Sequence, residues 1–174
     1  LKQSLRILAD TFLWLNIIMT AIVFGGSIYE TMVINSVWYS DLPGSLAFMT
    51  NPEYSVQPGR FWRSLGGIPT FASLLSFIFN LFVPSRRWLT SLSFVCAVII
   101  AISTIFYFVP ILRIIFAPDG GGYSGEELTR IATNWKNGTW IRMLLLLVSL
   151  VASVVAVGRS SKPSLGTEPR IDLN

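Results

Sequence analysis

Residues 88–108 read WLTSLSFVCAVIIAISTIFYF, twenty-one residues without a charge, and this run decides the fold class. A hydrocarbon core of about 30 Å needs roughly 20 apolar residues in helical form. Working outward, three more segments answer to the same description: residues 11–28, with Asn16 as their one strongly polar group, residues 65–83, and residues 140–157, with Arg142 one turn inside. Pro69 falls in the first turn of the second segment, where a missing N–H costs little. No segment alternates as a strand would. Backbone groups in lipid have to be paired within their own segment, so each run is a helix. The expected fold is an all-α integral membrane protein, a four-transmembrane-helix bundle. The third span is expected to continue past Pro110 towards Phe116.

Composition agrees. Of 174 residues, 52% are hydrophobic and 13% charged, and the mean hydropathy is +0.61. Soluble domains carry about a quarter charged residues, so half the usual solvating surface is missing. Histidine is absent and Cys96 is the only cysteine. That excludes a Ser-His-Asp triad, His-ligated haem or zinc, an internal disulfide, a Cys-x-x-Cys pair and a four-thiolate iron–sulfur site. Cys96, in mid-span, reads as a small apolar packer. No metal or cofactor is expected. The net charge of +4 points to a membrane surface, not to nucleic acid.

Four spans put both termini and the 84–87 turn on one side. That side holds Lys2, Arg6, Arg86, Arg87, Arg159, Lys162 and Arg170; the other holds Arg60, Arg63, Arg113, Arg130, Lys136 and Arg142, spread over long loops and interleaved with acids. The rule that short basic loops stay inside places both termini in the cytoplasm, in a bacterial inner or plasma membrane. Residues 1–158 form one domain and 159–174 a polar cytoplasmic tail. A signal-peptide reading of the first span fails on length, because its apolar stretch exceeds the usual 7–15 residues. The chain opens on Leu1, and a few leading residues are expected before it.

The inner connection is a tight turn, whereas residues 29–60 and 111–139 are loops of about thirty residues each, a length that is uncommon without a function. They are expected to fold as a structured extracytoplasmic cap. The first is too apolar for a solvated linker, and the first helix is expected to extend past Ile28. Trp38, Tyr39, Tyr54, Phe61 and Trp62 suit either an interfacial aromatic belt or a pocket wall. In the second loop, Ser124-x-x-Glu127 is a capping box. It opens a short amphipathic helix with Leu128, Ile131, Ala132 and Trp135 on one stripe. Asn137-Gly138 is expected to cap or kink it before the last span. Gly120-Gly121-Gly122 lacks the Lys-Ser/Thr of a phosphate loop.

One charge from each span gathers at the outer boundary: Glu30, Arg63, Arg113 and Arg142. Arg63 and Arg113 can snorkel to headgroups along their own stems. Glu30 cannot reach far and Arg142 is flanked by spanning sequence, so these two are expected to point inward and pair.

The run Gly26-Ser27-Ile28-Tyr29-Glu30 leading to Trp38, with Leu42-Pro43-x-Ser45-Leu46, Phe61-Trp62, and Glu127-Leu128 through Trp135 to Trp140-Ile141-Arg142, resembles bacterial members of the anthrone-oxygenase-like family of small four-helix membrane proteins. The likeness extends over about residues 8–157. It departs at Thr139, where the family pattern has Asn, and in the lack of His. Fungal members oxidise anthrones without a metal or organic cofactor. The resemblance therefore implies Glu30 as a base, Arg142 as stabiliser of an enolate, and Tyr29, Trp38 and Trp135 stacking on an aromatic substrate. Trp62, Arg63, Arg113 and Trp140 complete the expected binding residues, for a substrate or for a partner.

Two functions are open at this point. One is an accessory or structural subunit of a membrane complex, its partners being other subunits or further copies of the chain. The other is a cofactor-independent oxygenase, or binding protein, for an aromatic or lipid-like molecule at the outer mouth. Four short spans without an inverted repeat argue against transport.

Overall fold

The computed structural model describes residues 2–42, 44–46, 58–117 and 121–159, and what it describes is helical. Helix α1 (Lys2–Tyr29) runs through a π-helical turn (Glu30–Ile34) into α2 (Asn35–Trp38). Then come α3 (Pro58–Leu65), α4 (Ile68–Asn80), α5 (Arg87–Ser103), a second π-helical turn (Thr104–Phe108), α6 (Val109–Ile115) and α7 (Gly125–Arg159). Among the described residues three helical runs are long and apolar enough to cross a membrane: Gln3–Trp38, Arg87–Ile115 and Gly125–Arg159. The third span does pass Pro110, and the first does pass Ile28.

The segment expected to cross as residues 65–83 is not one helix. It breaks at Gly66-Gly67, leaving α4 with 13 residues, about 20 Å at 1.5 Å each. Each glycine forfeits about 1 kcal/mol of helix propensity, and Gly66 N–H closes α3 onto Trp62 O at 2.7 Å. Pro69 then starts α4 where its missing donor is harmless. Helix α4 packs against α1 and α5, and α7 packs against the other flanks of α1 and α5.

The second long connection is also more helical than expected. Its capping box forms: Ser124 N–H and Oγ both donate to Glu127 Oε2, at 3.0 and 2.9 Å, and Glu127 N–H donates to Ser124 Oγ at 3.3 Å. The helix so started does not stop at Asn137-Gly138 but runs 35 residues to Arg159. The reason is tertiary. A Cβ on Gly138 would meet ring carbons of Tyr107 and Phe108 at 3.1 and 3.2 Å, so this glycine serves close approach and not a cap. Gly138→Ala gains about 1 kcal/mol in propensity and loses about 1–3 to crowding. A net loss of up to about 2 kcal/mol is expected in thermal melts in detergent, and a raised Tm would contradict this.

Between the helices the core is polar. Asn16 Nδ2 donates to Ser93 Oγ at 3.1 Å and Ser153 Oγ at 2.9 Å, and Ser93 and Ser149 hydroxyls meet at 2.8 Å, joining α1, α5 and α7. In lipid, such bonds replace the hydrophobic drive for helix association. Cys96 is buried and free. At the hairpin end, Arg86 is not simply a turn residue: it is 3% exposed, and its Nη1 donates to Asp10 Oδ1 at 2.5 Å and Asn80 Oδ1 at 3.3 Å. Asn80 Nδ2 in turn donates to Ala9 O at 3.1 Å.

The opposite, distal end has a different core. Trp38, Leu46, Phe108, Ile115, Leu128, Ala132 and Trp135 cluster there, so the Leu128–Ala132–Trp135 stripe is buried as expected while Ile131 is partly buried. Trp38 is 2% exposed, which removes it from any interfacial belt. Tyr54, the 118–120 part of the glycine loop and the tail beyond Arg159 lie outside the described residues.

Candidate functional site at the distal end

Arg142 organises this end. Its guanidinium carbon sits 4.5 Å from the centroid of Phe108 and 5.7 Å from that of Trp62, close enough for the ring quadrupoles to attract the cation. Its Nε is buried and has no hydrogen-bond partner among the described residues. Each neighbour arrives by a separate device. Phe108 closes the π-helical turn of Thr104–Phe108. Trp62 comes with α3, whose Phe61 ring lies where a Cβ on Gly26 would be, 2.8 Å away, so Gly26 is the seat on which α3 rests against α1.

Glu30 begins the other π-helical turn. Its carboxylate faces the Trp62 side chain and interacts electrostatically with Arg142. The expected contact pair does not form: among the described residues the only ion pair within 4.0 Å is Arg86–Asp10. Glu30 and Arg142 share a site across Trp62 without touching. Glu30 at the start of one π turn and Phe108 at the end of the other thus come to the same place, and wide turns of this kind concentrate at functional sites. They let buried positions step by four, Ser27, Thr31 and Asn35 on one helix, which keeps this face of α1 inward.

A groove of about 390 Å³ opens sideways between α5 and α7 beside Arg142. It is lined by Ile99, Ser103, Tyr107, Phe108, Asn137 and Arg142 among others. Ligand sites of this kind are mostly apolar with a few placed polar groups, at about 300–1,000 Å³. Tyr107 Oη donates to Asn134 O at 3.1 Å across the groove's rim.

The expected site residues divide three ways. Glu30, Trp62 and Arg142 are brought together. Trp38 and Trp135 are buried in the distal cluster instead, ring centroids 5.8 Å apart and edge-on, with Trp38 Nε1 donating to Asn35 Oδ1 at 2.9 Å. Phe108 links the two sets, 6.0 Å from Trp135. Tyr29 and Trp140 are 60% and 53% exposed and take no part. Arg63 and Arg113 are exposed, and Arg63 Nε donates to Gly59 O within its own helix. Sequence reasoning missed Phe108 and the groove, because a phenylalanine in an apolar span carries no signal until the π turn rotates it onto Arg142. Among the described residues no group of three or more His, Cys, Asp or Glu lies together as a metal site would require.

Among the described residues, fold and site together define a helical protein with three membrane-length helices and an arginine seated on aromatic rings beside a groove. Comparison with protein-family models, with curated proteins and with solved structures found no match to this chain.

Proposed function

We propose that this chain is a four-helix membrane protein, both termini cytoplasmic, that binds a lipid-like small molecule in the groove between α5 and α7 with the polar end of the ligand on Arg142. The observation that carries the reading is Arg142 itself, at the wall of an apolar groove with a buried, unpartnered Nε. A buried charge that is short of hydrogen bonds is costly, and a ligand oxygen in the groove would give the guanidinium a partner. In this reading α4 completes the bundle as its fourth, short member. Runs of 35 and 36 residues are about 53 Å long against a hydrocarbon core of about 30 Å, so the Trp38–Trp135 cluster forms an outer cap in or above the headgroups.

Oxygenation is the narrower reading that the resemblance to the anthrone-oxygenase-like family supports. It needs Glu30 to reach the substrate as a base, and Glu30 does not line the groove. Binding is what the geometry supports best. Native mass spectrometry after gentle extraction tests it. Wild type is expected to carry one small molecule, and Arg142→Ala to lose it while keeping its helical circular dichroism; Glu30→Gln is expected to weaken retention. If protein partners alone appear, in fixed ratio and regardless of variant, the reading falls and an accessory subunit takes its place.

A further inference from the structure

The order of side chains along the groove says more about the ligand than its volume does. Asn134 and Asn137 stand at one end of the α7 wall and Leu145 at the other, with Arg142 between. Eleven residues of helix separate Asn134 from Leu145, about 16 Å. The α5 wall runs the opposite way and matches it: Tyr107 meets Asn134 through its hydroxyl, Ser103 follows, and Ile99 lies deepest. The polar end is therefore distal and the apolar end faces the middle of the bundle. A lipid in the distal leaflet has this polarity in this direction.

Access is from the side. Ile99 and Ile141, on facing walls, are 46% and 65% exposed on the surface that the membrane would cover. Among the described residues Arg142 is the one charged side chain that lines the groove, and the other polar groups there include the neutral hydrogen-bonding side chains of Ser103, Asn134 and Asn137. The side chains of Asn134 and Asn137 make no hydrogen bond to the protein among the described residues, which leaves both amides to a headgroup. Arg142, a turn or more deeper, sits where the acyl ester of such a lipid would lie.

Resting on the reading of the groove as a ligand site, we infer that its occupant is an ester-linked glycerolipid drawn from the distal leaflet, headgroup at Asn134 and Asn137, ester carbonyl on Arg142, and one acyl chain along Ile99 and Leu145. The test uses the full chain reconstituted in phosphatidylcholine vesicles that contain a trace of phosphatidylcholine with a photoreactive diazirine, either at the end of one acyl chain or on the headgroup. Peptide mass spectrometry locates the adducts. The chain label is expected at Ile99 and Leu145 and the head label at Asn134 and Asn137. Ser103→Leu, which fills the groove from α5, should lower both about tenfold while keeping the helical circular dichroism of the wild type. An ether-linked analogue without the ester carbonyl should be retained about tenfold less, as the loss of one hydrogen bond to a charged donor requires. Labelling spread evenly over every lipid-facing helix, or head label at Leu145, overturns the inference. If wild type still holds an Arg142-dependent molecule that is not a lipid, this inference alone fails. If it holds none, the reading of the groove as a ligand site fails with it.

Discussion

Trp38→Ala is expected to cost the protein about 3–5 kcal/mol, the range for deleting a buried aromatic side chain. Trp38 is 2% exposed and its ring makes edge or tilted contacts with Tyr39, Phe116 and Trp135, at centroid distances of 6.1, 5.8 and 5.8 Å. The full figure applies on the proposed reading, in which the ends of the long helical runs that carry this cluster exceed the bilayer thickness and water, not lipid, is the alternative environment. A tryptophan of an interfacial belt would behave differently. Its ring would be half-exposed to lipid headgroups, and truncation would lose only part of that energy. The hydrogen bond matters as well, since Trp38 Nε1 holds Asn35 Oδ1 and so fixes the orientation of the Asn35 amide. Trp38→Phe keeps most of the ring volume and loses the donor, and should cost about 1–2 kcal/mol. Reversible unfolding in mixed micelles, followed by circular dichroism, separates the cases: a Trp38→Ala loss under about 1 kcal/mol would put this residue at a surface.

These energies bear on how far the chain could be read before its structure. Four apolar runs were read as spans, and three of them lie in helices of membrane-spanning length, because helix in lipid is a local consequence of composition. The capping box at Ser124 and Glu127 was equally legible, since both partners are three residues apart. What failed did so for non-local reasons. Asn137-Gly138 looks like a helix end in isolation, and only the rings of Tyr107 and Phe108 against it explain why the helix continues. The Gly66-Gly67 break went unread, because hydropathy averaged over an apolar run smooths over two poor helix formers. The π-helical turns have no sequence signature, and they put Phe108 on Arg142 and bring Glu30 near it without contact. Of the site, the two charges were legible as costly residues in a membrane segment; the aromatic seat, the missing contact between them and the groove were not.

The pairing at the other end was also beyond reach of sequence, with Asp10 and Arg86 seventy-six residues apart, and it leads to the second large effect. Asp10→Ala is expected to destabilise the protein by about 2–3 kcal/mol. Removing one partner of a buried pair usually costs about 3–5 kcal/mol, because the other charge stays buried and uncompensated. The lower figure follows from asymmetry: the Arg86 side chain is 4% exposed but that of Asp10 is 54% exposed, so solvent screens part of the interaction. After the substitution Arg86 retains only Asn80 Oδ1, at 3.3 Å, and its Nε has no partner even in the wild type. The cost therefore resides in the stranded arginine and not in the lost aspartate. It follows that Arg86→Met, which replaces the charge by an apolar chain of similar length, should be milder than Asp10→Ala, at about 1 kcal/mol, since Asp10 can then turn to water. The double variant Asp10→Ala/Arg86→Met should be more stable than Asp10→Ala alone. A double-mutant cycle of unfolding free energies decides it. If the two losses simply add, the guanidinium of Arg86 is not confined as its burial implies, and the hairpin between α4 and α5 is held to α1 by the Asn80–Ala9 bond and apolar packing instead.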